Sequence, residues 1–238
     1  MKKVAIFSDI HGNLEALNAI LDSISKEVYD EVICLGDVIS IGPDSLGCLN
    51  RILNSNVRLI LGNHDLYFLN GVSNYEIESE KIEHYKYIHK NLPAELKDKL
   101  RNKDLYYKFE YKNHSFLFCH YFIKNIDDIY PFYGIGTIKR MKVKELLTIF
   151  DTEYFFYGHD HEPSHYVFNK RHLIDVGSSG CLKDNKTFYT ELIIDDDVII
   201  NTKYVEYDRN LLVDKLRKSN YPMLEHYALG FFGIDDLH

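Results

Sequence analysis

KKVAIFSDIHGN, Lys2 to Asn13, runs through a short apolar stretch into a carboxylate and an imidazole two positions apart. In an extended chain successive side chains alternate between faces. Asp9 and His11 are therefore expected to point the same way, with Ile10 pointing back, which is how a strand end offers two ligands to one ion. Taken alone, the stretch also fits an aspartate capping the next helix and an ordinary loop histidine.

The pattern recurs further along. EVICL runs into Gly36 and Asp37, VRLIL into Gly62, Asn63, His64 and Asp65, HSFLF into Cys119 and His120, and EYFFY into Gly158, His159 and His161. Continuous apolar runs rich in Val, Ile, Phe and Tyr read as buried strands. Leu14, Leu17, Leu21 and Ile24 repeat at helical spacing behind Asn13, a capping residue, and residues 44–55 predict a second helix after Pro43. The first 62 residues thus predict β-α-β-α-β with parallel strands and right-handed crossovers.

Residues 66–103 break this rhythm: charged helical stretches around 75–91 and 94–102, separated by Pro93, predict a small helical cap insertion. Glu76, Glu78, Glu80 and Glu83 read as its solvated face. LYYKFEY and HSFLFCH predict a hairpin turning at Lys112 and Asn113. Residues 139–150 predict a helix, 164–207 short strands with a hairpin at 195–197, and 208–219 a helix before a C-terminal segment. No repeat, low-complexity tract or linker is present, so residues 1–238 read as one α/β domain.

Composition narrows the partners. A net charge of −8 without a basic block argues against polymeric nucleic acid or an anionic membrane. A small phosphorylated substrate stays compatible if metal ions supply local positive charge. Cys34, Cys48, Cys119 and Cys181 form no CxxC pair, no apolar run reaches membrane-spanning length, and Asp9 comes too early for a signal peptide. The chain reads as soluble, reduced and cytoplasmic; its oligomeric state is not legible.

In open α/β sheets ligands bind beyond the carboxyl ends of strands. Five strand ends gathered at one edge would bring together Asp9, His11, Asp37, Asn63, His64, His120, His159 and His161. Carboxylate, imidazole and amide oxygen without thiolate suit Mn, Fe, Zn, Co or Ni. Eight candidates exceed the needs of one ion but fit two ions sharing a carboxylate, an arrangement that clamps the attacking and leaving oxygens of a phosphoryl displacement and turns a bridging water into hydroxide.

SDIHGN, GDVISIGPD, GNHD, a downstream His120 and GHDH, in that order, resemble the calcineurin-like metallophosphoesterase superfamily, over residues 9–161. The resemblance implies a two-sheet β-sandwich flanked by helices, with a dimetal site between the motif loops. It implies that Asp9, His11 and His161 hold the first ion, that Asp37 bridges, and that Asn63, His120 and His159 hold the second. His64 would stabilise transition-state charge or protonate the leaving group, oriented by Asp65. The implied cofactors are two divalent or trivalent ions drawn from Mn, Fe, Zn or Ni. The implied reaction is hydrolysis of small phosphodiesters or phosphomonoesters through a metal-bridging hydroxide.

Departures from the pattern bear on substrate. Protein phosphatases and symmetrical dinucleoside tetraphosphatases carry an arginine shortly after the Gly-Asp motif; here it is absent, so those activities rank low. GDVISIGPD is closer to small bacterial and archaeal phosphoesterases. In that group a glycine follows the histidine at position 120, where this chain has Tyr121, and Asn-Pro-Gly-Ser stands in place of Asp175–Ser178. The 121–140 stretch and the cap are expected to select the leaving group, and its aromatic residues read as core packing or as a frame for a base or acyl group. Two alternatives stand beside the enzyme: a nuclease acting on short nucleic acid, and a non-catalytic interaction module such as a retromer subunit of this fold. Retention of His64 separates enzyme from module, since a binding module needs no proton donor.

Overall fold

The structure is a computed structural model describing residues 1–75, 77–120, 123–125, 128–132 and 151–237, with 123–125 and 128–132 described as backbone only. Expectations for Glu76, Tyr121, the aromatic frame beyond His120 and the 139–150 helix lie outside the described side chains.

The first sheet begins with β1 (Lys2–Phe7), α1 (Leu14–Ile24), β2 (Glu31–Cys34), α2 (Ser45–Leu53) and β3 (Val57–Leu59). These three strands are parallel, with Phe7 opposite Cys34 and Cys34 opposite Leu59. Asn13 caps α1 by accepting the Ala16 N–H at 3.1 Å, and Asp44 caps α2 by accepting that of Gly47 at 2.9 Å. β11 (Lys186–Ile194) and β12 (Val198–Glu206) complete the sheet in the order β12-β11-β1-β2-β3, β11 antiparallel to β1. The last hairpin is therefore a pair of nine-residue strands turning at 195–197, longer than the short strands expected.

The second sheet runs β4 (Tyr106–Tyr111), β5 (His114–Cys119), β8 (Tyr154–Tyr157), β10 (Arg171–Asp175) and β9 (Ser164–Phe168), in that spatial order. β6 (Ile123–Asn125) and β7 (Asp128–Phe132) pair as a separate ribbon.

Strand alternation divides the core. Val4, Ile6, Ile33 and Leu35 face the second sheet and meet Phe116, Phe118, Phe156 and Ile174. Ala5, Phe7, Cys34 and Leu59 face the helices. The Phe118 and Phe156 rings stack across β5 and β8 with centroids 5.1 Å apart. Burying each such side chain contributes about 1.5–3 kcal/mol. The molecule is a two-sheet sandwich with helices packed on the first sheet.

The stretch expected as a cap consists of α3 (Asn63–Asn70), α4 (Ser79–Lys90) and α5 (Glu95–Leu100). Leu66, Phe68, Ile88, Leu96 and Leu100 join the cluster of Phe7 and Leu59, so these helices share the core of the first sheet. Glu78, Glu80 and Glu83 are exposed, as expected for a solvated face. The C-terminal segment holds α6 (Arg209–Lys218) and α7 (Leu224–Phe232), the numbering here counting described helices only. Leu212, Leu216, Tyr227 and Phe232 pack with Ala16 of α1 and Ile41. Among the described residues, no helix is long and apolar enough to cross a membrane.

Candidate metal centre

The alternation expected at Asp9 and His11 does not occur. β1 ends at Phe7, and both residues adopt the left-handed backbone, with φ of 53° and 47°. Asp37, His159 and His161 do the same, at 52°, 72° and 64°. Each such non-glycine residue costs about 1–3 kcal/mol and persists where surrounding contacts hold it. The holding contacts run between loops: Asp9 N–H donates to Gly36 O at 3.0 Å, His11 N–H to Asp37 O at 2.9 Å and Gly158 N–H to His120 O at 3.1 Å. Ile10 still turns into the core, fully buried.

These loops converge. His11 Nε2 lies 3.1 Å from His161 Nε2 and 3.7 Å from both Asp9 Oδ1 and Asp37 Oδ2. On the other side, Asp37 Oδ2 is 3.2 Å from His120 Nε2, which is 3.2 Å from Asn63 Oδ1. That amide oxygen is 2.9 Å from His159 Nδ1. Asp37 thus stands between two donor clusters. All seven sequence-predicted ligands, together with His64, come to one edge of the sandwich.

Backbone acceptors orient the rings. His11 Nδ1 faces Ile39 O at 3.2 Å and His120 Nδ1 faces Leu35 O at 2.8 Å, which turns each Nε2 towards the cluster. Asp37 Oδ1 accepts the His64 N–H at 2.8 Å, leaving Oδ2 for the middle.

Electrostatics follow from burial and crowding. Burial pushes the Asp9 and Asp37 carboxyls upward, but the facing imidazoles, His120 foremost, hold both below the usual carboxylate range. Burial would lower His120, yet Asp37 and Asp9 raise it to about 9. Burial and His120 together push His159 down to about 3. Burial outweighs the pull of Asp37 on His64, whose ring is held neutral. A charged His120 offsets two buried carboxylates, a role that a cation bound there would take over.

The donor set fits metal ions on structural grounds. Asp9 Oδ1 is fully buried and accepts no well-aligned hydrogen bond from the described residues. Beside it the Nε2 atoms of His11 and His161 stand 3.1 Å apart, two metal-ligating nitrogens brought together next to a buried carboxylate oxygen. Among the described residues, three groups could hold an ion: His11–Asp37–His64, Asp37–His120–His159 and His11–His161–Cys181.

Two further sequence expectations change here. Asp65 does not orient His64. It sits in the first turn of α3 and accepts N–H groups from Asp37 at 2.9 Å, Val38 at 3.2 Å and Gly62 at 3.0 Å. The ligand set was expected to lack a thiol, yet Cys181 lies beside His11 and His161. No motif marked it, because it arrives on a loop from after β10.

A cavity of about 310 Å³ opens over the cluster, lined by Asp37, Asn63 and His64 and walled by Tyr67, Tyr85, Tyr227 and Phe231. The last two come from α7, a helix absent from the sequence reading although Leu224, Tyr227, Ala228 and Phe231 recur at helical spacing.

Comparison with known proteins agrees with this architecture. A metallophosphoesterase from Sphaerobacter thermophilus superposes with a TM-score of 0.69 at 21% identity, covering 96% of this chain and 99% of that one. A hypothetical protein from Pyrococcus horikoshii OT3 gives a TM-score of 0.78 at 18% identity, covering 99% and 100%. In sequence, an uncharacterized protein of Methanocaldococcus jannaschii is 26% identical over 248 residues, covering 92% of this chain and 93% of that protein. A symmetrical bis(5'-nucleosyl)-tetraphosphatase of Pectobacterium atrosepticum is 43% identical over 67 residues, only 27% of this chain and 24% of that enzyme. The family profile of the calcineurin-like phosphoesterase superfamily domain matches residues 1–197. With the sandwich and its edge cluster already in place, that match over most of the chain means that the protein belongs to the calcineurin-like phosphoesterase superfamily.

Proposed function

We propose that the chain is a two-metal phosphoesterase hydrolysing a small phosphorylated substrate. Asp9, His11 and His161 hold one ion, Asn63, His120 and His159 the other, and Asp37 bridges. The observation that carries this reading is the position of Asp37 Oδ2, 3.7 Å from His11 Nε2 on one side and 3.2 Å from His120 Nε2 on the other. When bound, two divalent ions supply an acidified water and a double clamp on phosphoryl oxygens.

The chain's own residues do the rest. The paired donor clusters set where the ions, and with them the substrate phosphate, would sit at the floor of the cavity. His64 Nε2, 3.8 Å from Asp37 Oδ2, faces the same floor, and its neutral ring offers an N–H to a developing charge or a leaving oxygen. Tyr67 and Tyr85 pack around that ring, with centroids 5.6 and 5.1 Å away, and limit its motion. The net charge of −8 and the limited volume of the cavity, about 310 Å³, favour a small substrate over polymeric nucleic acid.

Hydrolysis of bis-p-nitrophenyl phosphate and p-nitrophenyl phosphate, each with Mn, Fe, Ni, Zn or Mg, tests the reading beside Asp37→Asn. Activity lost in the variant supports it, and the preferred ester separates diesterase from monoesterase. Inactivity on both esters in protein that binds two metals would sink it in favour of an interaction module.

A further inference from the structure

The loop that brings Cys181 to the cluster is stitched to the loop that carries Asp9. Ser179 N–H donates to Ser8 O at 2.9 Å, Gly180 N–H to Asp9 O at 3.1 Å, and Ser178 Oγ to Asp9 O at 2.7 Å. Asn13 Nδ2 donates to Gly180 O at 2.8 Å, and Cys181 N–H donates to Ser178 Oγ at 2.9 Å. Gly180 passes so close that an added Cβ would stand 1.9 Å from Ile10 O. The placement of Cys181 is therefore a fixed property of the site.

What it faces is a set of donors. The Cys181 sulfur and one ring nitrogen each of His11 and His161 lie within 4.8 Å of one another. Independently, Asp9 Oδ1 is fully buried without a well-aligned donor, 3.3 Å from His161 Nε2 and 3.7 Å from His11 Nε2. Cys181 is a free thiol, half-buried, and Phe231 packs on the His161 ring at 5.6 Å, which helps shield this flank from water.

We propose that Cys181 is a ligand of the ion held by Asp9, His11 and His161, which makes that site carboxylate, imidazole and thiolate. The proposal rests on the two-metal reading above. On binding, the metal–sulfur bond replaces the S–H bond and the proton passes to bulk water. A thiolate ligand favours zinc, cobalt or ferrous iron over manganese and magnesium at this site. The other site, without sulfur, keeps its tolerance for harder ions, so the two positions differ in selectivity.

The test is cobalt(II) titration of the full chain followed by absorption spectroscopy. Ligand-field bands report occupation of the centre, and a near-ultraviolet thiolate-to-cobalt charge-transfer band reports sulfur ligation. The expected result is a charge-transfer band in the wild type that disappears in both Cys181→Ser and Cys181→Ala while ligand-field bands persist. Zinc affinity relative to manganese should fall by about tenfold or more in Cys181→Ser, the scale of losing a partner in a ligand sphere. Ligand-field bands without a charge-transfer band, or a band retained in both variants, would overturn the proposal and leave the two-metal reading standing. Failure of the wild type to bind cobalt at all would remove both.

Discussion

The Asp65 carboxylate accepts the Asp37 amide hydrogen at 2.9 Å, so the helix carrying His64 holds the loop carrying the central carboxylate. Two more amides, from Val38 and Gly62, complete its contacts. Replacing Asp65 with Asn puts an NH₂ where only acceptors fit and leaves a buried N–H facing a donor. Asp65→Asn is expected to cost about 1–3 kcal/mol in stability, and about 10–100-fold in metal affinity. Thermal unfolding and metal titration check both. Unchanged affinity would mean that the Asp37 loop holds its shape without this brace.

Gly62 makes the same point through space. A Cβ there would stand 2.2 Å from Asp37 Oδ1 and 2.4 Å from Asp37 N, too close for any small adjustment. Gly62→Ala should displace Asp37, cost about 1–3 kcal/mol, and weaken metal binding. Gly230, in the last turn of α7, has nothing within 4 Å of an added Cβ. Gly230→Ala should be neutral or stabilise by up to about 1 kcal/mol. Equal effects of the two changes on metal binding would refute the steric account.

Much of the architecture is legible in the chain, and the limits of that legibility are physical. Apolar runs with capped helices between them predict β1 to β3 and their order, because propensity and tertiary burial agree there. The residues that meet at the edge are also legible, since each follows such a run. Their backbone is not: left-handed Asp9, His11 and Asp37 depend on amides donated across loops distant in sequence. Asp65 likewise reads as a partner of its neighbour His64, while its carboxylate turns back to Gly62 and across to Asp37. Cys181 is silent in sequence because its position depends on the docking of residues 178–181 against Ser8 and Asp9.

His84 gives the fold a pH dependence of known sign. Its Nε2 accepts the Ile41 N–H at 3.1 Å and its Nδ1 faces Pro222 O at 3.1 Å, so the buried ring is neutral in one tautomer. Burial lowers its pKa from 6.5 to about 4. The unfolded chain therefore takes up the proton first as pH falls. Stability from this group is complete above about 6.5 and declines towards 4, by roughly 3 kcal/mol in all. Urea unfolding at several pH values should show this slope reduced in His84→Gln. A slope identical to wild type would place the acid sensitivity elsewhere, with half-buried His89 as the next candidate.

His64 separates proton donation from simple charge stabilisation. Its side chain stays mostly buried, its Nδ1 finds no partner among the described residues, and Nε2 looks towards Asp37 across the cavity floor. Since the proposed metal ligands do not include it, His64→Asn should keep metal content and melting behaviour close to wild type. Activity should fall by about 10²–10⁴. The p-nitrophenolate ion leaves without a proton, whereas an alkoxide does not. A proton-donating His64 therefore predicts a much larger loss on an alkyl phosphoester than on the nitrophenyl ester. Equal losses on both would assign His64 to stabilising charge on the phosphoryl group, and no loss on either would remove it from the reaction.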